Sequence, residues 1–286
     1  MNKVSRLLAV CAVTLPIAAS AALAQTYKTI DYPGAVGTAL AGGPNPEGTA
    51  VGIYTDTASF THGFALRNGV STSFDPPGSI ATTPNFISPQ GTIAGGYVDS
   101  SFVGHGFLLN DGNYTTVDFP GAAFTVLGGI NPSGEIAGEF CVAPCAVTHS
   151  FIVSKKGVFT SFDPPGATSS FATMVIPSGA IFGGYNDSGG VGHGYMLSHG
   201  TFTTIDFPGS VFTFIGGANA EGDSVGEYVD TSNVGHSFLL SRGVFTSFDP
   251  PGAVGFSVGA GINPSGVIVG FFGDAAGNLH GYIRTP

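Results

Sequence analysis

The chain has 286 residues, 43% apolar and only 9% charged, with 46 Gly, 19 Pro and no Trp. This composition excludes coiled coils and long surface helices, which need Lys, Glu, Arg, Ala and Leu in bulk. The 24 Phe and 9 Tyr supply too much apolar surface for a disordered chain, so a turn-dense all-β protein is expected. The formal charge of −10 repels phosphate backbones and argues against nucleic acid as a partner.

Residues 1–24 predict a secretory signal peptide. Lys3 and Arg6 precede a short apolar run, and Ala22-Leu23-Ala24 suits cleavage before Gln25. Pro16 and the shortness of the run argue against a membrane anchor. Val10 is too large for the position before a lipid-bearing cysteine, so Cys11 is expected to leave with the peptide. No later stretch reaches ~18 uninterrupted apolar residues, so the expectation is an exported protein, extracellular or periplasmic, without a membrane span. In that compartment Cys141 and Cys145, in Cys-Val-Ala-Pro-Cys, are expected to form a disulfide. Two thiolates do not complete a zinc site, and the spacing is not that of a Cys-x-x-Cys redox pair.

From residue 25 onward the chain is six copies of one unit. Asp-x-Pro-Gly recurs at Asp31, Asp75, Asp118, Asp163, Asp206 and Asp249. A histidine recurs at His62, His105, His149, His193, His236 and His280. Both landmarks step by 43–45 residues, so the period is real. A second-order pattern overlies it: Asp31, Asp118 and Asp206 precede Tyr or Phe, whereas the other three begin Asp-Pro-Pro-Gly.

Each unit holds four short extended runs with turn chemistry between them. Phe202-Thr203-Thr204-Ile205 and Val267-Ile268-Val269 are examples. Asn131-Pro132-Ser133-Gly134 suits a type I turn, and Phe119-Pro120-Gly121-Ala122 a type II turn. Asn68-Gly69 and Asp111-Gly112 suit two-residue hairpins. Four strands in ~43 residues make one propeller blade. The predicted fold is therefore a six-bladed β-propeller over residues 25–286, closed by the N-terminal strand Tyr27–Asp31, which would complete the last blade. The Gly-Gly-Ile-Asn run is expected innermost and the Tyr/Phe-Thr-Thr-Ile run outermost. One face then carries the blade-to-blade crossings and the loops before each His, and the other carries only tight turns.

The His-Gly-Phe runs, with Gly-Ile-Asn-Pro-x-Gly-x-Ile-x-Gly, resemble the extracellular bacterial repeat family named for its His-Ala-Phe (HAF) tripeptide. Here the middle residue is Gly (63, 106, 194, 281) or Ser (150, 237). The resemblance implies secretion and a repeat architecture, and it brings no catalytic residue.

Five repeat histidines have an Asp six residues earlier: Asp56, Asp99, Asp187, Asp230 and Asp274. One carboxylate and one imidazole fall short of a metal sphere. The Asp is expected to hold its loop through backbone N–H groups while His bonds within the blade. The Asp-x-Pro-Gly carboxylates are expected to cap turns, and His199 before Gly200 is a turn residue. Glu139 and Glu227 share one repeat position, but blades three and five hold them too far apart for paired acid–base work. Phe124, Phe171, Phe212 and Phe256 follow Pro-Gly at similar offsets, beside the loops of Asp99, Asp187 and Asp230. Together they form the candidate ligand site, for a sugar, peptide or cation, with interblade packing as the alternative role for the rings. The function expected is a monomeric secreted module binding an extracellular glycan or protein, without cofactor or metal. The alternatives are a hydrolase or lyase working at the channel mouth, and a passive cell-surface component.

Overall fold

In the computed structural model residues 25–286 are described; the predicted signal peptide and Cys11 lie outside the described residues. The turns form as their residues dictate. Gly134 N–H donates to the Asn131 carbonyl at 2.9 Å, and Asn131 Oδ1 accepts from Glu135 N at 3.0 Å. Asn68, Asp111, His199 and Arg242 have φ between 48° and 53°, each followed by a glycine of positive φ, as a two-residue hairpin turn of type I′ requires. The N–H of Ala122 closes the Phe119 turn at 3.0 Å, with Gly121 at φ 79°.

These turns connect 24 strands, and no helix occurs among the described residues. Strand β1 is Thr26–Ile30. The first sheet follows with β2 (Gly37–Gly42), β3 (Ala50–Thr55), β4 (Thr61–Arg67) and β5 (Val70–Phe74). The second holds β6 (Ser79–Ile87), β7 (Ile93–Asp99), β8 (Gly104–Asn110) and β9 (Asn113–Thr116). The third holds β10 (Phe124–Ile130), β11 (Ile136–Cys141), β12 (His149–Val153) and β13 (Phe159–Phe162). The fourth holds β14 (Ser169–Val175), β15 (Ile181–Asn186), β16 (Gly192–Ser198) and β17 (Thr201–Ile205). The fifth holds β18 (Phe212–Ala218), β19 (Ser224–Val229), β20 (Gly235–Ser241) and β21 (Val244–Phe248). The sixth holds β22 (Ser257–Ile262), β23 (Ile268–Gly273) and β24 (Leu279–Thr285), and β1 pairs antiparallel with β24 from Thr26–Thr285 to Ile30–Gly281. The N-terminal strand is thus the fourth strand of the last blade, as expected. Within every blade the sheet is antiparallel, and the expected inner strand is the one nearest the axis.

The blades meet through six apolar clusters, one at each junction. The junction of the sixth and first sheets has its own cluster, with Ile30, Leu40, Phe64 and Val269. Each cluster is centred on the aromatic residue two positions after a repeat histidine. Phe64, Phe107, Phe151, Tyr195, Phe238 and Tyr282 are all at most 1% exposed, and each contributes roughly 2–3 kcal/mol of burial. The residue between His and this aromatic obeys local geometry. A Cβ on Gly106 would meet the Val117 carbonyl and the Leu127 side chain. Serine appears where it has buried partners: Ser150 bonds Ser170 at 2.7 Å and Tyr195 at 3.0 Å. Likewise Ser237 bonds Ser257 at 2.9 Å and Tyr282 at 3.2 Å. A serine in one blade therefore answers a tyrosine in the next.

The second-order pattern also has a packing cause. Tyr32 stacks on Tyr54, Phe119 on Phe140 and Phe207 on Tyr228, with ring centroids 3.6–3.7 Å apart. These stacks occupy the crossings that carry Asp-Tyr/Phe-Pro-Gly. Cys141 and Cys145 are bonded to each other, in the loop where the third blade lacks the Asp of its siblings.

Every inner strand also carries a β-bulge, at Ala41, Asn85, Gly128, Thr173, Gly216 and Ala260. The backbones approach closely there. A Cβ on Gly128 would collide with the carbonyls of Ala172 and Thr173, and one on Gly216 with the Gly259 carbonyl. A bulge bends its strand and re-aims its side chains, here around the axis.

Candidate functional site

The histidines form a rim on the crossing face. His62, His105, His193, His236 and His280 each sit between two carboxylates. Nδ1 lies 2.7–2.9 Å from the Asp of Asp-x-Pro-Gly, and Nε2 lies 3.2–3.6 Å from the Asp six residues earlier. His149 has the first partner only, Asp163 at 2.9 Å. The Asp-x-Pro-Gly carboxylates were expected to cap turns. Instead they latch the outer strand to the third strand: Asp118 Oδ2 meets His105 while its Oδ1 accepts from Gly106 N at 3.2 Å. The Asp75 hydrogen bond raises the His62 pKa, and Asp31 does the same for His280. For His193, burial lowers the pKa, but Asp206 and Asp187 together outweigh it and the net shift is upward.

The loop carboxylates do what their spacing suggested. Asp99 Oδ1 accepts from Ser101 N and Val103 N at 2.8 and 2.9 Å. Asp187 does so from Gly189 and Val191, and Asp230 from Ser232 and Val234. These backbone N–H groups, then the histidines, hold the three carboxyls below the usual range. Among the described residues no group of three His, Cys, Asp or Glu is placed to hold a metal.

Three of the four phenylalanines pack beside the glycine that follows one of these Asp loops, each at a different blade contact. Phe124 fills the space beside Gly104, Phe212 the space beside Gly192, and Phe256 the space beside Gly235 and Gly273. All three are half-buried at blade contacts. Phe171 differs because it is two residues further along its strand. It pairs with Gly184, as Val126 pairs with Glu139, Phe214 with Glu227 and Val258 with Phe271. At that level it lines the axial channel.

The blades also enclose concave surface along the axis. A cavity of 260 Å³ takes residues from all six blades, including Glu139, Phe171, Phe214, Phe271, Asn85 and Thr173. Two of its polar side chains at the bulge level already bond backbone carbonyls. Asn85 Nδ2 donates to the Leu127 carbonyl at 3.1 Å, and Thr173 Oγ1 to the carbonyls of Ile215 and Phe182 at 3.0 and 3.3 Å. Glu139 makes no hydrogen bond or ion pair among the described residues, and burial pushes its carboxyl up to about 7. Burial also pushes Glu227 up to about 7, but that side chain leans over Gly235, where a Cβ would strike it. In the third blade Thr148 holds the place of Gly235, so Glu139 has no such path.

A second cavity of 140 Å³ opens at the tight-turn face, meeting the first at Asn85 and Ala260. Pro46, Pro89, Pro132, Pro177 and Pro264 rim it, with Ile87, Ile130 and Ile262 behind. The face expected to carry only tight turns therefore has a concavity of its own. Single turns are small, but six of them converge on the axis. Phe214 and Phe271 were missed as channel residues. The available signal was two paired repeat columns that both vary, Ile53, Gly96, Glu139, Gly184, Glu227 and Phe271 opposite Ala39, Thr83, Val126, Phe171, Phe214 and Val258.

No family model matches the chain, and no curated protein matches it either. Solved structures do resemble it. AofleA from Arthrobotrys oligospora aligns over 91% of this chain and 86% of its own, with 12% identity and a TM-score of 0.58. A putative TolB from Agrobacterium tumefaciens covers 86% and 89%, with 15% identity and a TM-score of 0.59. The Aleuria aurantia lectin, a six-bladed β-propeller, covers 86% and 90%, with 11% identity and a TM-score of 0.53. At these identities the likeness shows the six-bladed propeller fold. Among the described residues no helix is long and apolar enough to cross a membrane.

Proposed function

We propose that this protein is an exported binding module whose ligand enters the axial channel from the crossing face. The observation that carries this reading is the 260 Å³ cavity to which every blade contributes, where the repeat symmetry breaks. A repeated residue serves the repeat, whereas a residue found at only one channel position needs another cause. Concave apolar area with a few aimed polar groups is what small ligands require. Export is supported by the leader sequence and by the Cys141–Cys145 bond. The Aleuria aurantia lectin, which has been solved with alpha-methyl-L-fucoside, illustrates a six-bladed propeller used for binding. Channel catalysis has less support, since among the described residues Glu139 is the one ionisable side chain lining the cavity and acid–base hydrolysis needs a pair.

The test is a glycan, peptide and small-molecule screen on the purified protein, repeated on an Ala41→Trp variant that plugs the cavity. Ligands lost on plugging, with the circular-dichroism spectrum and melting temperature retained, support the channel. Ligands that bind both forms equally, or the absence of any ligand, overturn it.

A further inference from the structure

We propose that the channel ligand is a small organic cation, a quaternary or tertiary ammonium, held by the Glu139 carboxylate among Phe171, Phe214 and Phe271. This rests on the channel reading and adds the ligand class to it. Three observations converge. The cavity has one ionisable side chain, and it is an acid without a partner among the described residues. Three aromatic side chains line the same 260 Å³ space, and ring faces attract cations by their quadrupole, more strongly where water is scarce. Phe171 and Phe214 stand with ring centroids 5.7 Å apart, so two rings reach one small ligand together.

The polar inventory of the channel separates a cation from a sugar. A sugar presents several hydroxyls that must find partners when buried, at a cost for each one left unpaired. The channel has few to give, because Asn85 and Thr173 already bond neighbouring carbonyls. A quaternary ammonium has no N–H to satisfy. It asks only for a negative charge and polarisable walls, and both are present. The ligand in turn completes the site, since it supplies the countercharge that the buried carboxyl lacks.

The proton balance follows. In the ligand-free protein the neutral acid and the carboxylate are about equally populated near pH 7. A cation selects the carboxylate, so binding releases a proton to solvent and strengthens as pH rises. Few other groups bear on Glu139. Strands β10 and β14 carry no ionisable side chain, and the one on β12, His149, has its ring bonded to Asp163 at the rim.

Calorimetry with tetramethylammonium and choline, against choline's uncharged isostere with carbon in place of nitrogen, tests the proposal. Both cations are expected to bind, with the isostere at least about tenfold weaker. Affinity should fall about tenfold from pH 8 to pH 6, the loss expected for an acid titrating near 7. Glu139→Gln should abolish the charge preference and the pH dependence, while Glu227→Gln keeps both. Phe171→Ala and Phe214→Ala should weaken the cations several-fold. Failure of both cations to bind at millimolar concentration overturns the proposal, as does equal binding of the isostere or full affinity in Glu139→Gln. A neutral ligand that Ala41→Trp displaces would leave the channel reading standing and remove the cation from it. Cation binding that survives the plug would overturn both.

Discussion

At the rim, five histidines sit between two carboxylates with Nδ1 distances that differ by only 0.2 Å, from 2.7 to 2.9 Å. Along the axis, equivalent inner-strand positions hold Val126, Phe171, Phe214 and Val258, and equivalent positions on the second strands hold Glu139 and Phe271. Both regions are built by the same repeat, and the polar residues a reader first suspects are at the rim. The rim shows what uniformity means: every blade fastens its outer strand with the same His–Asp latch, and five of the six add the same loop carboxylate. The channel shows the reverse. Its side chains line a cavity shared by all six blades, so no single blade's fastening fixes them. Function belongs where the copies disagree.

The largest effect should come from the element that both regions depend on. Deleting Gln25–Asp31 removes β1, uncovers the edge of β24 and takes Ile30 from the cluster joining the sixth and first sheets. An unpaired edge and a breached core should cost most of the stability. The expected outcome is a melting temperature lower by more than about 10 °C, or insoluble protein. An unchanged melting temperature would show that the ring does not depend on this closure.

Next come the rings. Phe124→Ala, Phe212→Ala and Phe256→Ala should each cost about 2–3 kcal/mol in denaturant titrations, a little below the fully buried case because the side chains are half-buried. Phe171→Ala should cost less stability and more ligand affinity. If all four cost the same, the division between blade contacts and channel fails. Replacing both Cys141 and Cys145 by Ser should cost about 2 kcal/mol or less, as the small loop closes little chain entropy.

Much of this was legible in the sequence, and the reason is repetition. The period, the turn types, the inner strand and the pairing of the N-terminal strand all follow from residues that recur six times. Phe171 shows what was not legible. It lies five residues after Gly166, whereas Phe124 lies three after Gly121, so Ser169 holds the place of Phe124, and a two-residue shift along a strand moves a side chain to a different level of the channel. The Asp-x-Pro-Gly carboxylate looked like a turn cap because the histidine it bonds is 13 residues away in sequence, across a hairpin. The channel could not be assembled at all from one unit, since its walls come from all six.

Stability against pH tests the two glutamates. Their pKa values rise on folding, from 4.5 to about 7, so the folded state holds protons that the unfolded chain releases. That contribution is complete below about pH 4.5 and fades as pH rises through 7. His62, His193 and His280, also raised, lose their contribution in the same direction from about 6.5 upward. The carboxyls of Asp56 and Asp99, held low, lose theirs only below about pH 4. The melting temperature should therefore fall by several degrees between pH 5 and pH 8. Glu139→Gln with Glu227→Gln should flatten most of that slope, because an amide does not titrate. A slope unchanged in the double variant would mean that the histidines carry it.

The smallest effect should be that of a single latch, and here one copy should break the uniformity of the rim. His193→Gln loses contacts to Asp187 and Asp206 that lie in its own blade, with the side chain still partly in water. Such partly exposed pairs contribute at most about 1 kcal/mol, or roughly 2–4 °C in a chain of this size, and the channel ligand should bind as before. His280 makes the same two contacts, but one of them, Asp31 at 2.7 Å, lies 249 residues away at the end of β1. A terminal strand frays unless something ties it down. His280→Gln should therefore lower the melting temperature more than His193→Gln, and amide exchange on Tyr27–Ile30 should quicken while other strands keep their protection. Equal losses in the two variants, with β1 exchange unchanged, would show that strand pairing alone fastens the chain's first strand to its last blade.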